Sequence, residues 1–152
     1  MLNGIEIVDL KEKENLIEEY VHLRNRYAEL LLTLPVNVSA TKEWIKKNDD
    51  VEVRGLVQNN ILLGVAILYL NREGEIAFFA KEQQKGIGSK LLNIIEEVAR
   101  EKKLKGVWAW VLSSNTVAQK SFMKNGYLSE QKTQRRYNDK NLEGFIFRKK
   151  LI

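Results

Sequence analysis

Residues 75–112 read EIAFFAKEQQKGIGSKLLNIIEEVAREKKLKGVWAWVL, and this stretch decides the fold. Its two ends are short apolar runs typical of strands, while residues 86–104 place apolar side chains at helical spacing. A strand, a helix and a second strand in this order form a crossover that joins neighbouring parallel strands. We therefore predict that 75–80 and 107–112 are parallel strands of one sheet, with 107–112 covered on both faces.

The chain before this unit predicts an antiparallel meander. Residues 51–58 and 61–70 meet across Asn59-Asn60, a pair that tolerates the left-handed backbone of a tight hairpin. A turn at 72–74 then leads into the strand that begins at Glu75. These strands extend the parallel pair into a mixed sheet.

The two ends of the chain add the remaining elements. Residues 5–10 are predicted to form a strand, and 14–32 to form one bent helix or two short ones that end before Pro35. Ser39 or Thr41 is predicted to cap a short helix that ends near Lys47. The last predicted elements are a helix at 116–124 and two strands at 127–137 and 142–149, joined by 138–141. The sequence thus predicts an α/β (α+β) protein with one mixed sheet, in a single domain over residues 1–152.

Composition excludes several kinds of site and partner. The chain of 152 residues has no cysteine and a single histidine, His22, so a disulfide, a cysteine nucleophile and a thiolate or histidine metal site are excluded. No apolar run approaches the roughly 18 residues that span a bilayer, and the start lacks the basic cluster of a signal peptide. We expect a cytoplasmic protein with no membrane partner and no metal.

The net charge of +5 is a weaker signal. Basic residues are prominent near the C-terminal end, but acids interleave with them and no aromatic-rich nucleic-acid signature accompanies them. A solvated surface is the preferred interpretation, and no nucleic-acid partner is predicted. A basic nucleic-acid-associated domain stays as an alternative, which would require salt-sensitive binding.

The segment 83–89, QQKGIGS, connects the strand to the long helix. The first N–H groups of a helix are unpaired and carry partial positive charge, so they attract phosphate. Gly86 and Gly88 place no side chain in the way of a pyrophosphate. The segment lacks the third glycine of a dinucleotide site and the Gly-Lys-Ser/Thr ending of a P-loop. Two interpretations stay open, a phosphate site and a tight strand-to-helix connection.

Two motifs in sequence order carry a family resemblance. The first has the pattern Q/R-x-x-G-x-G/A and is matched by Gln83, Gly86 and Gly88. The second has the pattern N-x-x-A-x-x-x-Y-x-x-x-G-F/Y and is matched, except at the tyrosine, by Asn115, Ala118, Phe122, Gly126 and Tyr127. Over about residues 75–127 the chain resembles the GNAT superfamily of acyl-CoA-dependent N-acyltransferases.

The resemblance implies acetyl-CoA as the co-substrate and no metal. It implies that the strands at 75–80 and 107–112 splay apart to admit the pantetheine arm, and that an N–H of one of them polarises the thioester carbonyl. Asn115 is expected to reach the pantetheine or the incoming amine, or to cap a helix. The expected cofactor-binding residues are Phe78, Phe79 and Ala80 for pantetheine, Gln83, Gln84, Lys85, Gly86, Ile87, Gly88 and Ser89 for pyrophosphate, and Asn115 and Phe122.

The catalytic residues are expected as follows. An alkylamine must lose a proton before it attacks a thioester, and Glu75 resembles a glutamate that some family members keep for this step. An exposed turn residue is its other interpretation. Phe122 stands where the family often has the tyrosine that protonates the CoA sulfur, so Tyr137 or Tyr127 is a substitute acid unless it only packs. The missing tyrosine leaves open an acyl-CoA-binding module with little turnover.

The resemblance implies an N-acetyltransferase that acts in a ternary complex, because no activated nucleophile is visible. The expected acceptor is a primary amine of a small molecule. Residues 23–25 and 41–44 resemble members that acetylate nucleotide sugars, which makes an amino sugar one candidate. A protein or peptide N-acetyltransferase is the alternative. Acetyl-CoA and an amine-bearing small molecule are the expected partners, and a homodimer is left open.

Overall fold

The computed structural model describes residues 4–27, 36–81, 86–137 and 139–152. The predicted α/β class and the predicted order of elements are confirmed, with a short 3-10 turn before the first helix. The elements are β1 (Glu6–Asp9), α1 (Ile17–Arg26), α2 (Val38–Lys47), β2 (Val51–Gln58), β3 (Ile61–Tyr69), β4 (Glu75–Ala80), α3 (Ile87–Glu101), β5 (Gly106–Leu112), α4 (Thr116–Lys124), β6 (Leu128–Tyr137) and β7 (Lys140–Lys150).

The strands form one mixed sheet in the order β1-β2-β3-β4-β5-β7-β6. Every neighbouring pair is antiparallel except β4 and β5, which are parallel as predicted. That parallel pair is joined in register only at Glu75 and Trp108, where the Trp108 N–H donates to the Gly74 carbonyl at 3.1 Å. Beyond this point the two strands separate, so the predicted splay is confirmed.

Helices cover the sheet on both faces and create two hydrophobic cores. The first core packs α1 and α2 against the sheet through side chains such as Tyr20, Ile45 and Phe79. The second packs α3 and α4 through side chains such as Leu91 and Phe122. Fully burying one such side chain stabilises the fold by roughly 1.5–3 kcal/mol. Side chains of β4 alternate between the two cores, so one strand can present different groups to the two faces.

The hairpin between β2 and β3 follows the sequence prediction. Asn59 and Asn60 have φ angles of 53° and 63°, and both lie in the left-handed region. A tight two-residue hairpin requires this geometry, which asparagine adopts at lower cost than most residues.

The predicted cap of α2 is wrong, because Asn37 caps the helix rather than Ser39 or Thr41. The Asn37 side-chain oxygen accepts a hydrogen bond from the Ala40 N–H at 2.7 Å. Asn37 has the extended backbone that an N-cap requires, whereas Ser39 and Thr41 already lie inside the helix.

The prediction that both faces of β5 are covered is also wrong. Val107, Ala109 and Val111 are buried, but Trp108 and Trp110 on the opposite face are half-exposed. The reason is that α1 packs over β3 and β4 on that face. The two tryptophan rings instead lie beside guanidinium groups, at 5.8 Å from Arg148 and 5.3 Å from Arg135 respectively.

Several predicted boundaries shift. Helix α3 ends at Glu101 rather than near residue 104, because Lys103 adopts a left-handed φ of 62°. Strand β7 begins at Lys140, which shortens the connection from β6 to residues 138 and 139. The predicted continuation of the first helix to residue 32 and its stop at Pro35 lie outside the described residues. Within the described ranges, no helix is long and apolar enough to cross a membrane.

Candidate active site

Two neighbouring cavities lie near the point where β4 and β5 separate. The gap cavity, between β4 and β5, has a volume of about 170 Å³, and the helix cavity, beside α1 and α2, has a volume of about 470 Å³. Both are lined by Arg24, Tyr69 and Arg72, so they lie next to each other. The gap cavity is further lined by Ile67, Glu75, Ile76, Ala77, Phe78, Ala109, Trp110, Val111, Asn115, Ala118, Phe122 and Arg135. The helix cavity is further lined by Tyr20, Val36, Asn37, Ala40, Thr41 and Trp44.

The backbone of β4 presents polar groups to the gap. The Lys81 N–H donates to the Leu63 carbonyl of the β3 side at 2.7 Å. Hydrogen bonds in an antiparallel ladder alternate, so Phe79 faces Val65 of β3, while the N–H and C=O groups of Phe78 and Ala80 face β5. Because β5 has moved away there, these groups form a strand edge along the gap. Of the three β4 residues expected at the cofactor, the structure turns the backbone of two toward the gap.

Gly86 occupies the N-cap of α3 with a φ of 94°, a conformation that glycine adopts without steric cost. Gln83, Gln84 and Lys85, also expected at the cofactor, lie outside the described residues. Ile87 is buried in the core, and the Ser89 hydroxyl accepts a hydrogen bond from the Asn125 amide at 3.0 Å. Ile87 therefore offers a ligand only its backbone, whereas Ser89 keeps its hydroxyl proton as a donor, and the unpaired N–H groups of the first turn are also available.

Gly88 lies directly under the gap. A Cβ atom added to Gly88 would lie 3.3 Å from the Phe78 ring and 3.4 Å from the Ser121 hydroxyl. The helix therefore approaches β4 closely at this point, and any side chain would press against a residue that lines the gap cavity.

Asn115 caps a helix, which is one of the two roles that the sequence left open. Its side-chain oxygen accepts a hydrogen bond from the Ala118 N–H at 3.3 Å, which caps α4, and the residue also lines the gap cavity. Capping holds the Asn115 side chain at the end of β5.

Phe122 gives the gap cavity an apolar wall. It is 3% exposed, and its ring lies 5.3 Å from that of Phe78 and 5.6 Å from that of Phe147. The nearby hydroxyl of Tyr127 donates to Glu96 at 2.8 Å, and burial together with Glu96 raises the pKa of Tyr127 well above its ordinary value. The Tyr127 proton is therefore held by Glu96 on the side of the core, and Tyr127 is not among the described residues that line the cavity.

Glu75 is buried rather than an exposed turn residue, with 6% of its surface exposed. Its two carboxylate oxygens accept from different arginines, Oε1 from Arg72 at 3.3 Å and Oε2 from Arg135 at 2.9 Å. The Arg72 guanidinium also lies 4.3 Å from the centre of the Tyr69 ring. Tyr137 lies at the hairpin end of β6 and is not among the described residues that line either cavity.

The residues that the sequence analysis missed as site residues are side chains of the cavity wall: Arg24, Tyr69, Arg72 and Arg135. Arg135 is separated from Glu75 by 60 residues and comes from a strand with an exposed pattern, so no local signal pairs them. The only local hint was that Arg72 lies three residues before Glu75.

The wall of the helix cavity is fixed by a two-way contact. The Asn25 side chain donates to the Val36 carbonyl and accepts from the Val36 N–H, each at 2.9 Å. These bonds hold the segment just before α2 against the end of α1 and so fix one side of the helix cavity.

Three solved structures that resemble this fold carry the name of an acetyltransferase. The yncA protein of Salmonella typhimurium, solved with its cofactor acetyl-CoA, aligns with a TM-score of 0.85 at 15% identity, covering 99% of this chain and 95% of its own. Spermidine N-acetyltransferase of Vibrio cholerae, solved with CoA and spermine, gives 0.82 at 13% identity, covering 97% and 96%. Ribosomal-protein-alanine N-acetyltransferase of Brucella melitensis gives 0.80 at 16% identity, covering 96% and 98%. At these identities the likeness shows the fold.

The family is shown by the sequence itself. No curated protein sequence is significantly similar to the chain. The model of the Acetyltransferase (GNAT) family matches residues 15–127, which include α1, β4, α3, β5 and α4. With the splayed strands and the glycine turn in place, the chain belongs to the GNAT family of acetyltransferases, which are acetyl-CoA-dependent N-acetyltransferases.

Proposed function

We propose that this enzyme transfers the acetyl group of acetyl-CoA to the primary amine of a small molecule, with the pantetheine arm lying between β4 and β5. The observation that carries the proposal is the single register pair between those strands, which leaves the backbone of Phe78 and Ala80 free to bind an extended partner. Pantetheine contains two amides, so it can pair with such an edge as an added strand would.

The phosphate end of acetyl-CoA is assigned to the turn before α3. The N-cap Gly86 and the first turn of α3 offer unpaired N–H groups and the positive end of a helix. Gln83, Gln84 and Lys85 complete this assignment from the sequence motif. Asn115, held at the end of β5 by its capping bond, is assigned to the pantetheine or to the incoming amine.

Starting from the neutral amine, the chemistry needs one proton removed from nitrogen and one added to sulfur. The amine nitrogen bonds to the thioester carbonyl carbon, the carbon–sulfur bond breaks, and the products are an amide and CoA. We assign the acceptance of the amine proton to Glu75, the carboxylate that lines the gap cavity among its described residues. Phe122 offers no proton to the sulfur, so the thiol, whose ordinary pKa is ~8.5, leaves as a thiolate and is protonated by water.

The size of the helix cavity supports a small acceptor. About 470 Å³ lies in the range of roughly 300–1,000 Å³ that is usual for small-molecule sites. An amino sugar remains the candidate from the sequence. Among proteins of this fold the named acceptors differ, and one structure carries spermine while another enzyme is named for ribosomal-protein alanine. A peptide N-terminus is therefore the alternative acceptor.

The test is a thiol-release assay with acetyl-CoA over amino sugars, amino acids, polyamines and short peptides. We expect CoA release with at least one small amine and a matching increase in acetylated product. Tight acetyl-CoA binding without release from any amine in the panel would contradict the proposal and favour a binding module. Release with peptides alone would replace the small-molecule acceptor by a peptide.

A further inference from the structure

The electrostatic character of the helix cavity is uneven. Among its described lining residues there are two arginines, Arg24 and Arg72, and no carboxylate. The remaining lining side chains are aromatic, small or neutral. Arg72 is exposed and has Glu75 as its counter-charge, whereas Arg24 is half-buried. A partly buried charge without a counter-charge is costly unless a ligand supplies one.

Arg24 is the first of these charges. It lies on α1, is half-buried and lines both cavities, yet its guanidinium forms no hydrogen bond or ion pair with any described residue. Tyr20 lies one helical turn earlier on the same face. Its hydroxyl is fully buried and has no hydrogen-bond partner within the described part of the chain. Burial raises the pKa of Tyr20, so the hydroxyl keeps its proton and remains a donor.

Arg72 is the second charge, and its guanidinium is already oriented. One face lies 4.3 Å from the centre of the Tyr69 ring, and Nη1 donates to Glu75 at 3.3 Å. A guanidinium has five N–H donors, so one bond to Glu75 leaves others for a ligand. Carboxylates and phosphates are the groups that match an arginine fork.

The start of α2 adds to the positive electrostatic potential of the helix cavity. Asn37, Ala40 and Thr41 line the helix cavity, and they form the N-cap and first turn of this ten-residue helix. The N-terminal end of a helix carries a partial positive charge. An unpaired arginine, an oriented arginine, a buried hydroxyl without a partner and a helix N-terminus therefore converge on one cavity.

We infer that the acceptor carries an anionic group, a carboxylate or a phosphate, next to its amine, and that Arg24 and Arg72 bind this group in the helix cavity. The inference rests on the proposed function, because it places the amine in the adjoining gap cavity beside Glu75. Both arginines line both cavities, so a small molecule bound by its anion in the helix cavity would extend its amine toward the gap cavity. A polyamine would meet positive charge instead.

The test compares pairs of amines that differ in the anionic group, by thiol release with acetyl-CoA. Leucine against leucinol probes a carboxylate, glucosamine 6-phosphate against glucosamine probes a phosphate, and spermidine represents a polycation. We expect the anionic member of at least one pair to have a kcat/KM at least ~10-fold higher, as one charge-assisted hydrogen bond allows. Equal rates within both pairs, or spermidine as the best substrate, would overturn the inference.

Variants of Arg24 test whether the preference for an anionic amine depends on the helix cavity. Arg24→Gln should reduce the advantage of the anionic amine by ~10-fold while the KM for acetyl-CoA stays unchanged. Arg24→Lys should retain part of the advantage, because it keeps the charge but not the planar fork. Arg100→Gln is the matched control, since Arg100 is on α3 and is paired with Glu97 at 2.6 Å. An equal loss for charged and uncharged amines in Arg24→Gln would count against an anion site.

A binding measurement separates this inference from the proposed function. In saturating CoA, inorganic phosphate should raise the melting temperature of the wild type more than that of Arg24→Gln. If no amine is acetylated, the proposed function fails, and this shift alone decides the anion site. An equal shift in both proteins, or none in either, would refute the anion site.

Discussion

The cofactor side and the acceptor side of the cleft are built in different ways. On the cofactor side, formed by β4, the start of α3 and Asn115, the groups offered to a ligand are mostly backbone amides and carbonyls at a strand edge and a helix N-terminus. On the acceptor side, they are side chains of Arg24, Arg72, Glu75 and Arg135, which come from separate elements. Backbone recognition leaves local sequence marks such as glycines and caps, whereas side-chain recognition depends on which elements meet. The variants below test this difference.

The largest effect is expected from Gly86→Val. A β-branched residue at a φ of 94° is strained and places a side chain at the proposed phosphate site. Loss of two charge-assisted bonds, each worth roughly 1.5–3 kcal/mol, corresponds to a fall of at least ~100-fold in kcat/KM. The fall in kcat/KM is measured by thiol-release kinetics at varied concentrations of acetyl-CoA.

Gly4→Val is the matched control for that variant. Gly4 also has a positive φ, 74°, but a Cβ there meets nothing within 4 Å. It should lose stability without losing acetyl-CoA affinity. Undiminished activity in Gly86→Val would refute the phosphate site, and equal losses in the two variants would assign the effect to strain.

Glu75→Gln is expected to have the next largest effect. If Glu75 accepts the amine proton, kcat should fall by ~100-fold or more, and the pH dependence of kcat should change shape. The KM for acetyl-CoA should remain the same. Steady-state rates between pH 6 and 9 give both quantities.

Glu52→Gln serves as its control, because Glu52 is another buried carboxylate that binds two cations, Arg54 at 2.9 Å and Lys11 at 3.3 Å, away from the cavities. If Glu75→Gln raises only the KM of the amine and keeps the pH profile, then Glu75 orients Arg72 and Arg135 and is not the base.

A smaller effect is expected from Gly88→Ala. The added methyl group would lie 3.3 Å from the Phe78 ring, so the ring must move by a few tenths of an ångström. A repacking cost of about 1 kcal/mol predicts a roughly fivefold higher KM for acetyl-CoA. The double variant with Phe78→Leu should recover part of this loss, since it removes the contact. If the losses of the two single variants simply add in the double variant, the contact between residue 88 and the Phe78 ring is not the cause of the higher KM.

The smallest effect is expected from Tyr137→Phe. Tyr137 lies at the hairpin end of β6, outside the described lining of the cavities, so kcat should change by less than ~2-fold. Measurement of kcat between pH 6 and 8 is sufficient. A tenfold decrease would show instead that this hydroxyl supplies the proton to the CoA sulfur.

Most of the fold was predictable because its signals are local. The boundaries of β2, β4 and α4 agree with the prediction, and the Asn59-Asn60 hairpin has the expected left-handed backbone. The errors occur where tertiary packing, rather than the local sequence, decides the structure. The two tryptophans of β5 were predicted to be buried because they are apolar, yet within the described residues α1 packs over β3 and β4 on that face, and arginines lie beside the tryptophan rings. The cap of α2 was misplaced because three polar residues of similar cap propensity stand close together, and only the geometry selects Asn37.

The sequence by itself determined the order of the elements, the glycine turn at Gly86 and Gly88, and the apolar Phe122 in place of a tyrosine. These features depend on neighbouring residues along the chain, because turns, caps and periodicity act over a few positions. Only the tertiary structure decided that Glu75 is buried between Arg72 and Arg135, and that Arg24 shares a cavity with them. These residues meet because the sheet and α1 bring distant parts of the chain together, and side-chain recognition of the acceptor depends on that arrangement.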